Sequence, residues 1–160
     1  MASVKTEYGT ASTLTCTLAS LASAASRQST AVDNSSDKFL DALVQMVVKN
    51  HATSAPTGDK AVYIYAYATA DDGTTYGDTG TGTDGGVTLD DPTQLKLIGV
   101  LRFTAAAQTK ESDPMSVAAA YNGVLPKKWG IIVRNATGFA LDTTEGNHKK
   151  LWQGVYASVT

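Results

Sequence analysis

Three kinds of side chain in this sequence have the chemistry to make a site: one thiol, two imidazoles and a crowd of carboxylates. Cys16 is the only cysteine, and His51 and His148 are the only histidines. Nucleophilic catalysis needs a nucleophile, a base and an orienting acid that converge. No local spacing brings Cys16 to either histidine, and both histidines fall in segments that read as loops. The expectation is therefore a protein without enzymatic activity and without a cofactor. One cysteine also excludes an intrachain disulfide or a cysteine metal cage. Within Thr13–Leu18, where polar and apolar residues alternate, Cys16 reads as a small hydrophobe on an edge strand.

The carboxylates gather in residues 71–91, DDGTTYGDTGTGTDGGVTLDD. Calcium needs six or more oxygens, which a 12-residue D-x-D-x-D-G loop supplies in order. Asp71, Asp72, Asp78, Asp84, Asp90 and Asp91 lack that spacing, so a long solvated loop is expected and no metal. No Gly-Lys-Ser/Thr phosphate loop occurs. The pairs Lys127-Lys128 and Lys149-Lys150 are expected to be solvated strand ends. A net charge of −2 gives no basic footprint for nucleic acid.

Aromatic residues offer a different chemistry, that of contact. In Ala61–Thr69, Val62, Ile64, Ala66 and Ala68 alternate with Tyr63, Tyr65 and Tyr67, so a strand would carry an apolar face and a tyrosine row. The row suits either cross-strand packing or a contact surface. With Trp129 and Trp152 it is also what a carbohydrate-binding module would need. Tyr76 sits in the acidic loop. Residues 1–12 hold only Val4 and Tyr8 as sizeable hydrophobes. That is too few to offset an ordering cost of about 1–2 kcal/mol per residue, so this arm is expected to be ordered by another protein chain.

The elements that must position these residues read as short strands. Trp129–Asn135 places Trp129, Ile131 and Val133 on one face and Gly130, Ile132 and Arg134 on the other. Lys150–Ser158 sets Leu151, Val155, Ala157 and Val159 against Trp152, Gly154 and Tyr156. Leu95–Phe103 puts Leu95, Leu97, Leu101 and Phe103 on one face, with Gly99 admitting a bulge or close approach. Ser116–Tyr121 reads as a further strand closed by Asn122-Gly123, and Arg27–Val32 starts another. Phe39–Lys49 fits a helical stripe (Leu40, Leu43, Val44, Val47, Val48) and a strand face (Leu40, Ala42, Val44, Met46, Val48) equally. Seven or eight strands without βαβ rhythm indicate an antiparallel sandwich. At 160 residues the chain can bury about 70% of its unfolded surface in one domain. Residues 14–25 resemble a secretory leader only superficially, since Thr15, Thr17 and Ser20 interrupt the apolar patch. No run reaches the length of a membrane span.

The wording Leu-Pro-Lys-Lys-Trp-Gly-Ile-Ile-Val-Arg-Asn-Ala-Thr-Gly over residues 125–138, followed by Gly146-Asn147-His148 and Trp152-Gln153-Gly154-Val155-Tyr156, resembles a family of small tailed-bacteriophage virion proteins. The likeness runs more loosely through Ser29–Lys49, Ala61–Tyr67 and Leu95–Leu101. It implies an all-β fold, an antiparallel, jelly-roll-like β-sandwich over residues 13–160 with an extended N-terminal arm over 1–12, and it tips Phe39–Lys49 to strand. It further implies a capsid decoration or cement protein, or a neck or tail accessory, assembled in the host bacterial cytoplasm. The implied partners are the major capsid protein or other virion proteins and further copies of itself, a trimer being one arrangement; neither nucleic acid nor membrane is among them. Exposure arguments nominate Val4, Tyr8, Tyr63, Tyr65, Tyr67 and Tyr76 as contact residues.

Overall fold

The computed structural model describes residues 3–91 and 93–159; the first two residues of the expected arm and the last of the expected domain lie outside them. Among the described residues twelve strands form: β1 (Val4–Tyr8), β2 (Ser12–Thr13), β3 (Ser26–Gln28), β4 (Val32–Asp33), β5 (Asp41–Lys49), β6 (Ala61–Thr69), β7 (Gly85–Val87), β8 (Lys96–Arg102), β9 (Thr109–Glu111), β10 (Met115–Ser116), β11 (Lys128–Ala136) and β12 (Lys149–Val159). They make two antiparallel sheets. One runs β1-β12-β5-β10, with β2 also on β12 and β9 on β5; the other runs β7-β3-β11-β6-β8, with β4 also on β11. Joining the interrupted strands β1/β2, β3/β4 and β9/β10 leaves eight positions, with β7 added at one edge. First then pairs with last, second with seventh, third with sixth and fourth with fifth. This is a hairpin folded over on itself, the jelly-roll form of the sandwich.

Phe39–Lys49 is a strand from Asp41 onward. Ala42, Val44, Met46 and Val48 are fully buried, while Leu43, Gln45 and Val47 are half-exposed. They face Val62, Ile64 and Ala66 of β6, Trp129, Ile131 and Val133 of β11, and Leu101 and Phe103, which together form the core between the sheets. Thr13–Leu18 is only partly the expected edge strand. After β2 the chain crosses between sheets: the Leu14 N–H donates to Lys150 O on one side, and Thr15 O accepts from the Thr30 N–H on the other. The crossing buries Leu14, Cys16 and Leu18 in the open end of the core.

Three expectations are corrected. Ser116–Tyr121 is not a strand, since after β10 the chain makes one helical turn, α1 (Val117–Ala120). Ser116 Oγ accepts from the Ala119 N–H (3.0 Å) and donates to Asp41 (2.7 Å), whose other oxygen accepts from the Ala118 N–H (2.8 Å). A capped alanine run favours helix over extension. The face expected on Leu95–Phe103 is split. Register slips between Ile64 and Tyr65, leaving Ile98 opposite no residue, a β-bulge that turns Leu101 and Phe103 to the core and leaves Leu97 52% exposed. Finally, Val4–Tyr8 is held by its own chain, as an edge strand paired with β12 from Val4↔Val159 to Tyr8↔Val155.

Candidate interaction surfaces

The residues suited to catalysis do not meet. Cys16 is buried, and burial, with the Asp84 carboxylate second, pushes its thiol up to about 12. His51 Nδ1 accepts from the N–H groups of Thr53 (3.3 Å) and Ser54 (3.0 Å), capping its own loop. His148 has both ring nitrogens occupied, Nδ1 by the Lys49 N–H (3.4 Å) and Nε2 by Asp142 O (3.1 Å). Neither histidine is placed to take a proton from the thiol.

Lys150, expected as a solvated strand end, is 5% exposed. Its Nζ donates to a Glu145 carboxylate oxygen and to His148 O, while the other Glu145 oxygen accepts from the Leu18 (2.8 Å) and Ala19 (2.7 Å) N–H groups. β12 points Lys150, Trp152, Gly154 and Tyr156 inward, so the lysine needs that carboxylate to be buried at all. Lys127 and Lys128 do lie at the surface, beside Asp72 and Asp33. Asn135, fully buried, donates to Leu21 O and Phe139 O (2.8 Å each) and accepts from Thr137, tying the segment before β3 to the loop after β11.

The acidic segment is the long loop expected, exposed along much of its length apart from β7, and it folds back over the sheet as a cover. Asp84 accepts from the Thr17 N–H (3.1 Å), Thr17 Oγ1 (2.7 Å) and Arg27 Nε (2.6 Å). Asp78, 5% exposed, accepts from the Asp90 N–H (3.3 Å) and from the Thr93 hydroxyl. Asp71 accepts from the Thr74 (3.1 Å) and Thr75 (2.9 Å) N–H groups. Hydrogen bonding to the ionised form holds Asp71 below the usual carboxylate range; at Asp84 burial pushes the other way, and the hydrogen bonds from Arg27 and Thr17 outweigh it. Among the described residues no three His, Cys, Asp or Glu side chains converge to hold a metal. Gln28, 1% exposed, binds the loop from beneath through the Thr81 N–H (3.0 Å) and Thr83 O (2.6 Å).

That cover decides the fate of the tyrosine row. Tyr65 and Tyr67 are buried with Ile132 in a second apolar cluster on the outer side of β6 and β11, roofed by Tyr76, Val87, Leu89 and Leu95. The Tyr67 hydroxyl donates to Ser29 O (2.6 Å), and its ring meets Tyr76 edge-on at 5.3 Å. A Cβ on Gly130 would lie 2.5 Å from the Tyr67 ring, so the missing side chain is what lets the tyrosine lie across β11. Tyr65 and Tyr67 are therefore core residues of this chain and not the exposed contacts expected of them, while Tyr76 is partly buried against them. Tyr63 remains half-exposed, donating to Asp59 (3.2 Å). Beside the cover lies an open groove of about 540 Å³, lined by Ser26, Thr79, Val87, Asp91 and Arg134 among others.

Among the described residues no such cover lies on the outer face of the other sheet. The residue set Leu151, Val155, Ala157 and Val159 points outward from β12, flanked by Leu43 and Val47 of β5 and by Val4 and Tyr8 of β1. Val4 is 72%, Tyr8 57% and Val159 70% exposed. A shallow hollow of about 120 Å³ opens among Ala11, Leu43, Pro114 and Leu151. Singly exposed apolar residues are ordinary, but a contiguous set on one sheet face marks an interaction surface. Among the described residues no helix is long and apolar enough to cross a membrane. Compared with protein-family models, curated proteins and solved structures, the chain matches none of them, which leaves the geometry of this open face as the guide to what it does.

Proposed function

We propose that the chain is a structural subunit of a tailed-bacteriophage particle, a capsid decoration or cement protein that works by contact and not by catalysis. The observation that carries this reading is the contrast between the two outer sheet faces. One is roofed by its own acidic loop, while the other presents half-exposed Leu43, Val47, Leu151 and Val155 beside the exposed Val4, Tyr8 and Val159. A subunit that seats on a shell needs one adhesive face and one solvated face, and repeated weak contacts on a lattice add up through avidity. The resemblance of residues 125–156 to virion proteins supports the same reading. A carbohydrate-binding role loses its platform, because Tyr65, Tyr67 and Trp129 are buried.

The test is co-sedimentation of purified protein with particles that lack it. Wild-type chain should pellet with the shells. Leu43→Glu and Leu151→Glu, which place a charge on the open face, should weaken binding at least about tenfold while leaving the circular dichroism spectrum unchanged. Failure of the wild-type chain to pellet with any shell, neck or tail preparation would overturn the reading.

A further inference from the structure

The β1 strand is more than one more edge. β5 pairs with β12 only as far as Asp41↔Val155, so residues 156–159 of β12 pair with β1 alone. The end of the sheet is thus a two-stranded ribbon, with the Tyr156 ring against Phe39 on its inner face. Two strands without a third are marginal in water. The ribbon nevertheless carries Val4 and Val159, with Tyr8 at its base, among the most exposed large hydrophobic residues described.

The phase of the hydrogen bonds shows which groups of β1 are free. The Gly9 N–H donates to Gly154 O (2.8 Å), in register with the β1–β12 ladder. Antiparallel ladders alternate, so Glu7 and Lys5 also turn their backbone groups toward β12. The N–H and C=O groups of Val4, Thr6 and Tyr8 then point away from it. Among the described residues no strand pairs with that side.

We propose that this edge pairs antiparallel with β1 of a second copy of the chain, about a two-fold axis at Thr6. In that register Thr6 faces Thr6 of the other copy, and Val4 faces its Tyr8. About six backbone hydrogen bonds form from the outward groups. Lys5 falls directly opposite Glu7 of the other copy, twice, on the face where Glu7 already accepts from Ser158 Oγ at 2.7 Å. Sliding the axis by one residue sets Lys5 against Lys5, or Glu7 against Glu7, which like-charge repulsion disfavours. A lone lysine on an edge strand is a guard against pairing; a lysine and a glutamate symmetric about Thr6 are a match for their own rotated image. Such an isologous contact closes at two copies, so the unit is a dimer. It does not depend on the particle reading, because purified protein is enough to test it.

Sedimentation equilibrium of the full chain over a concentration series up to about 1 mM should report monomer and dimer. Lys5→Glu or Glu7→Lys alone places like charges opposite each other twice and should weaken the dimer at least about tenfold. An equimolar mixture of these two variants restores opposite charges at both positions and should recover dimerisation, as should the double variant Lys5→Glu/Glu7→Lys. The recovery excludes misfolding as the cause of the loss. Thr6→Pro removes an outward N–H without touching the chain's own ladder and should abolish pairing. A protein that stays monomeric throughout, a trimer, or a dimer indifferent to these changes would overturn the proposal. So would a monomer whose β1 variants lose only particle binding, since the occupant of the edge would then be a shell strand.

Discussion

His148 is held as a neutral ring: Nδ1 accepts from the Lys49 N–H, so its proton sits on Nε2 and is given to Asp142 O. Burial, the largest influence, pulls its pKa below the ordinary 6.5, against the opposing pull of Glu145 and Asp142 and with help from Lys150. The unfolded chain then binds the proton more readily than the folded one, so stability rises with pH in this range. The contribution should be complete above about pH 6.5 and be lost as pH falls through the folded value. Asp142, drawn down from 3.8 to about 2 by Asn147 and its loop N–H bonds, adds a second, lower window, present above about 3.8 and lost toward 2. Thermal melts between pH 7.5 and 4.5 should show the first decline in wild-type protein and a flatter profile in His148→Gln. An equal slope in both proteins would show that the imidazole is not the source. None of this could be read from the sequence, where His148 is one polar residue beside Asn147 and Lys149. Its burial depends on a strand pairing that puts Lys49 beside it from far away in the chain.

Among the elements, the acidic cover has the most to lose from a single change. Asp84 fastens it to Thr17 and Arg27, residues of the crossing segment and of β3. Asp84→Ala removes charge-assisted bonds from a mostly buried carboxylate and should cost about 2 kcal/mol in denaturant unfolding. It should also open residues 71–91 to limited proteolysis while the sandwich core persists. Unchanged stability and unchanged resistance to protease would mean that Gln28 and Asp78 hold the cover without it. Elements with one clear alternation were legible: β6, β11 and β12 appear where the period of two places them, and β5 where the resemblance tipped an even choice of periods. The cover was not, because its order comes from bonds between residues more than fifty apart, and composition alone reads glycine and aspartate as loop. The same gap misplaced the tyrosine row. Alternation says that Tyr65 and Tyr67 leave the main core, yet only the folded loop says that they enter another. It hid Lys150 as well, since alternation in β12 shows two faces, and the more apolar of them is the one turned outward.

At the scale of the whole molecule, the pairing of first with last and fourth with fifth sets an order in which contacts can form. β6 and β8 are the closest pair in sequence, whereas β1 and β12 join opposite ends of the chain. Closing the longer loop costs more entropy unless inner pairs have already shortened it. Pulse-labelled hydrogen exchange during refolding should therefore find amides of β6 and β8 protected before those of β1 and β12, and the reverse order would refute this. The sandwich class and the strand face of Phe39–Lys49 were legible at this scale, with the virion resemblance tipping the latter. The exact partners were not, because a strand's pattern states that it has neighbours without stating which. β12 lies inside its sheet, with β1 and β2 along one side and β5 along the other. During translation it is also the last of the described strands to leave the ribosome. Until it emerges, β5 lacks its neighbour along that side, so the sheet that carries Val44 and Met46 cannot close before β12 has been made, and it is in that interval that the nascent chain most needs a chaperone.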